Sequence, residues 1–166
     1  LLLVIDHRAS ANPTLICIND EQRFCPSDTT ETPTCQPTAT DNSALDNTYL
    51  YEPNASIMKG GCFTEVERAF AMQQVAANSH LFLSNTAVKS FPGRSFIVKQ
   101  QCSLNKRELR LALAGIDRAN VAVRNFPLSA EVLRKKLKLK DGGDTYIFGT
   151  TLPDGNHALF VCRKIG

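Results

Sequence analysis

No apolar run in this 166-residue chain is longer than Leu1–Ile5, far below the roughly 20 residues a membrane-spanning helix needs. That run also has no basic flank before it and no small-residue cleavage site after it, so it does not read as a signal peptide. It reads as a buried strand. The six cysteines (Cys17, Cys25, Cys35, Cys62, Cys102, Cys162) include no C-x-x-C pair and no Cys/His cluster, which argues against a zinc site. His7, His80 and His157 are scattered and fall in no metal-ligand spacing. Nucleophile-elbow and H-E-x-x-H motifs are missing as well. Gly60-Gly61 stands outside any G-x-G-x-x-G or Walker spacing and reads as a helix break or a close-packing point. No internal repeat is evident. The residues therefore predict no catalytic group and no metal ligand. Cys62, following two glycines, remains the one imaginable activated thiol, but it has no identifiable base.

An even number of cysteines also suggests disulfides. Cys17, Cys102 and Cys162 lie in or beside strand-like apolar runs, where a free thiol packs as a small hydrophobe. Only Cys25 and Cys35, in a polar stretch, could pair without disturbing a core. Reduced cysteines and a cytoplasmic location are the expectation.

What is present is a globular composition, 43% hydrophobic and 21% charged, in a length that suits one domain or two small ones. The first residue is Leu1, not Met, which suggests a piece of something longer. The overall charge of +3 hides an asymmetry. Residues 1–102 carry seven Lys/Arg against ten Asp/Glu, and residues 103–166 carry twelve against six. Segregated charge of this kind suggests a polyanion-facing module beside a neutral or acidic one, although small basic domains with solvated lysines are common.

Strands are predicted at Leu1–Asp6, Thr14–Asn19, Thr48–Glu52, His80–Leu83 and Ser95–Cys102. Residues 20–47, rich in Asp, Thr, Pro, Ser and Asn, read as a polar loop or insertion whose deletion should leave the fold standing. Pro53-Asn54 opens a helical segment, and Phe63, Val66 and Phe70 mark one helix face. Farther on, Asn105 with Glu108 forms a capping box, and Leu109, Ala112, Leu113 and Ile116 form a buried stripe. A strand at Asn120–Arg124, a helix capped by Ser129, and a hairpin of Tyr146–Thr151 with His157–Cys162 complete the order. The sum is an α/β sandwich.

Cations concentrate after Ser129. Arg134, Lys135 and Lys136 sit near a helix C-terminus, where the macrodipole favours them. Lys138 and Lys140 alternate with Leu137 and Leu139, which predicts that both lie on one exposed side. Arg124, Arg163 and Lys164 join that face if the last strand runs beside it. Such a face suits the phosphates of RNA or another polyanion. Asp141-Gly142-Gly143-Asp144 reads as a tight left-handed turn; a phosphate cradle is the alternative, with aspartates that would repel the ligand.

The block Arg124–Leu152, with RNFPLS and LRKKLKLKDGGD, closing in Val161-Cys162-Arg163-Lys164, resembles the THUMP-like C-terminal domain of class I SAM-dependent methyltransferases of Bacteroidetes-type bacteria. YLYEPNASIMKGG (residues 49–61) and FPGRSF (91–96) resemble the ferredoxin-like domain that precedes it there. The resemblance implies an α+β fold: a ferredoxin-like α/β sandwich at 1–102 with the polar insertion at about 20–47, then a small THUMP-like βαβαββ domain at 103–166. It implies RNA as a partner, tRNA or rRNA; the candidate contacts are the cations read from the charge pattern, Arg124, Arg134, Lys135, Lys136, Lys138, Lys140, Arg163 and Lys164. The family's S-adenosylmethionine domain would precede these two. This chain has no glycine-rich strand-to-helix loop, so no cofactor is expected in it. It would then be a non-catalytic RNA-recognition region of a bacterial methyltransferase, with the catalytic domain as its other partner and no membrane contact. The alternative is a structural or interaction module packed on that domain, and a small enzyme acting through Cys62 is a third option.

Overall fold

The structure, a computed structural model, describes residues 15–26 and 48–165. The expected strand Leu1–Asp6, residues 27–47 and Cys35 lie outside the described residues. Within them the order is β1 (Cys17–Asn19), β2 (Gln22–Phe24), β3 (Tyr49–Pro53), α1 (Ala55–Gly60), α2 (Phe63–Phe70), β4 (Gln73–Gln74), β5 (Phe82–Ser84), β6 (Gly93–Ser103), α3 (Lys106–Ala112), β7 (Asn120–Arg124), α4 (Ala130–Leu137), β8 (Thr145–Thr151) and β9 (His157–Ile165).

Seven strands form one mixed sheet in the order β4-β5-β3-β6-β9-β8-β7. β6 lies inside it and pairs antiparallel with both β3 and β9, so the first and second halves of the chain share a single sheet. Only β7 and β8 are parallel, joined by the crossover through α4. β1 and β2 form a separate hairpin. The polar stretch expected over 20–47 is therefore structured at its start. Phe24 stacks on Phe70 at 5.9 Å and, like Cys25, is only 5% exposed, because one aromatic is enough to anchor a short hairpin when a helix offers it a partner.

Local rules account for the helices. Asn54 Oδ1 accepts from the Ser56 and Ile57 N–H groups and starts α1, which ends on Gly61 at φ 67°. Asn105 caps α3. Its capping-box partner Glu108 reaches past it and accepts from the Ser103 N–H at 2.7 Å, which lowers the carboxyl pKa. Ser129 accepts from the Val132 N–H and starts α4.

The sheet's two faces are covered differently. On one face α1 and α2 bury Tyr51, Phe82 and Val66, and α3 and α4 bury Ile147, Leu159 and Val161. On the other face Leu50, Phe96, Phe148, Phe160 and Cys162 form a cluster with no residue from the four helices. Curvature encloses it. Flat strands lie about 4.8 Å apart, so β3 and β7, with three strands between them, would be roughly 19 Å apart. Yet Arg124 Nη2 on β7 donates to Glu52 Oε1 on β3 at 2.5 Å. Only a strongly coiled sheet, staggered like a partly opened barrel, permits that contact.

Candidate nucleic-acid interface

Leu133 and Leu137 are buried beneath α4, which leaves Lys135 and Lys136 exposed on its last turn. Lys138 ends the helix in the left-handed region (φ 58°), and its N–H donates to the Arg134 and Lys135 carbonyls. The following loop is tied to the one before β7. Lys140 N–H donates to Asp117 O at 2.9 Å, Ala119 N–H to Lys140 O at 3.0 Å, and Asn120 Nδ2 to Gly143 O at 2.7 Å. Gly142 (φ 90°) and Gly143 (φ 85°) take left-handed backbone, which bears out the turn reading of this diglycine.

Lys138 and Lys140 are both exposed, but for a different reason from strand alternation, since Lys138 is a helix cap. Arg134 pairs with Asp141 at 2.5 Å and Lys135 with Glu131 at 2.8 Å. Lys136, Lys138 and Lys140 have no ion-pair partner among the described residues. Exposed Arg118 lies across a parallel bridge from Lys140. As a lone arginine outside any charge run, Arg118 gave no sequence signal. Arg163, opposite Thr145 in the β8–β9 ladder, lines a cavity of about 400 Å³ with Lys99 and Asp144. Adjacent strand residues face opposite ways, so Lys164, paired with Phe96, is on the other face.

Arg124 does not join this face, contrary to expectation. β7 runs away from the 138–144 loop, and Arg124 at its far end turns to Glu52. Arg94 binds the same carboxylate through Nε and Nη2, so the Glu52 side chain, only 4% exposed, carries two guanidiniums. A cavity of about 850 Å³ opens beside the three side chains, lined also by the β1–β2 turn (Asn19–Gln22) and by Lys59. Burial, then the Arg124 charge, lowers the pKa of His80, which stacks on Phe63.

Cys62 caps α2 with its thiol buried, and desolvation is the first cause raising its pKa to about 12. That is the reverse of an activated nucleophile. No metal-holding cluster occurs among the described residues. Nor do they fit S-adenosylmethionine: the parallel crossover β7–α4–β8 passes through Asn125–Ser129, which has no glycine to gather backbone N–H groups. No described helix is long and apolar enough to cross a membrane.

Residues 49–92 match the family model of a ferredoxin-like domain, and residues 93–164 match one described as THUMP domain-like. No curated protein matches the chain. Among solved structures, the chain is similar to a "putative methyltransferase" from Porphyromonas gingivalis W83, at 28% identity and a TM-score of 0.72. The likeness covers 92% of this chain but 38% of the Porphyromonas one. Residues 49–164 thus join a ferredoxin-like domain to a THUMP domain-like one.

Proposed function

We propose that this region recognises RNA for a cytoplasmic, SAM-dependent RNA methyltransferase and transfers no methyl group itself. S-adenosylmethionine and the catalytic groups would belong to a separate domain of the parent protein. The observation that carries the reading is the exposed group Arg118, Lys136, Lys138 and Lys140, which has no carboxylate partner among the described residues and lies in the THUMP domain-like part. Unpaired cations on a pinned loop and a short helix suit phosphate contacts, which supply affinity and register rather than sequence choice. Arg163 and Lys99 extend the positive surface past Asp144. The test is titration of the chain with structured RNAs and, separately, with S-adenosylmethionine by calorimetry. RNA affinity should fall linearly in log K against log salt, and the cofactor should not bind. Saturable cofactor binding, or RNA affinity indifferent to salt, would overturn the reading.

A second reading, an interaction module packed on the catalytic domain, draws on Leu111 and Val132. These are 61% and 50% exposed on α3 and α4, and apolar side chains there would suit a protein partner.

A further inference from the structure

We propose that Cys17 and Cys62 form a reversible disulfide that locks the β1–β2 hairpin onto the junction between α1 and α2. Their sulfurs are 3.7 Å apart, 45 residues apart in sequence, and both side chains are 4% exposed. That separation is an S–H···S contact, and closing it to a bond of roughly 2.05 Å needs a movement of under about 2 Å. The surroundings favour the approach. A Cβ on Gly60 would come within 2.9 Å of Cys17 Sγ, so glycine at that position leaves room for the Cys17 sulfur. Gly61, in the left-handed region, turns the chain so that Cys62 follows directly at the α2 cap.

The bond would act on a hairpin whose Cys17 and Phe24 already pack in the core beneath α1 and α2. The hairpin is outside the seven-stranded sheet, and its contacts with the rest of the fold include Phe24 on Phe70 and Asn54 Nδ2 donating to Gln22 Oε1 at 2.8 Å. Its turn, Asn19–Gln22, forms one lip of the 850 Å³ cavity beside Glu52, Arg94 and Arg124. A covalent link at Cys17 therefore fixes the lip. The inference stands apart from the RNA reading. The oxidant is a peroxide; burial and the raised pKa of Cys62 keep the pair mostly as thiols, so the bond forms slowly and in excess oxidant. One thiol takes oxygen from hydrogen peroxide and becomes a sulfenic acid, releasing water. The second sulfur then attacks it, the S–S bond forms, and a second water leaves. Two thiols and one peroxide give one disulfide and two waters.

The test is to treat the whole chain with hydrogen peroxide, alkylate it under denaturing conditions, and map the cysteines by mass spectrometry before and after dithiothreitol. The expected product is a Cys17–Cys62 linked peptide, reversed by the reductant, with a rise in melting temperature of about 5–10 °C in the oxidised chain. Cys62→Ser should abolish both changes. If that variant fails to fold, the map of the unmodified sequence still decides. Cys17 and Cys62 both alkylated after peroxide, or linked to other cysteines instead, would overturn the proposal.

Discussion

Glu52 joins the two halves of the chain through two arginines 42 and 72 residues away. Replacing it by Ala leaves both guanidiniums without their carboxylate. Breaking a buried pair from one side costs about 3–5 kcal/mol, but both arginines reach solvent, so we expect a drop of about 2 kcal/mol in denaturant unfolding. A drop under about 0.5 kcal/mol would show that the coil of the sheet does not depend on these pairs. His80 gives a pH-dependent counterpart. Its folded pKa is lowered from 6.5 by burial and by Arg124, so the unfolded chain holds that proton more tightly. The contribution of neutral His80 is complete above the unfolded value and disappears as pH falls towards the folded one. His80→Asn, which suits the left-handed backbone at φ 52°, should flatten the decline in stability between about pH 7.5 and 5.5. An unchanged decline would assign it to other groups. Neither role is legible in the sequence, because spacing along the chain cannot show which distant strands a coiled sheet brings together.

Elements with a strong local signal are legible in the sequence. The strand expected at Asn120–Arg124 is β7 to the residue, and Ser129 locates the start of α4. Gly155 in the 152–156 turn, at φ 84°, joins β8 to β9 as its sequence predicts. The failures have a shared cause. β2 carries a single buried aromatic and β4 is two residues long, so neither has a hydrophobic period to detect. Gly93 has the sequence surroundings of a turn, but it begins β6. A Cβ there would run into Glu52 O, the Phe91 ring and Pro53 Cα. Gly93→Ala should therefore loosen the β3–β6 ladder and cost about 3 kcal/mol, with amide exchange rising first over residues 49–53. A neutral effect would mean that the two strands can separate there without penalty.

Over the whole molecule, one coiled sheet carries both family regions and separates two groups of positive charge. Arg94 and Arg124 are bound to Glu52 beside the larger cavity. Arg118, Lys136, Lys138 and Lys140 are exposed where α4 ends and β8 begins. The sequence reveals the second group through its density of lysines, and misplaces Arg124 because the direction of β7 is a property of the sheet. Replacing Arg118, Lys136, Lys138 and Lys140 together by Ala tests the central claim most directly. RNA affinity and melting temperature should be measured on the same variant at two or more salt concentrations. The account predicts weaker binding to unrelated structured RNAs and a flatter dependence of log K on log salt, by roughly 0.7–0.9 for each phosphate that is no longer neutralised. Cations that serve only the helix dipole would instead lower stability by about 0.3–1 kcal/mol each and leave binding alone. Unchanged affinity and an unchanged salt slope would contradict the account.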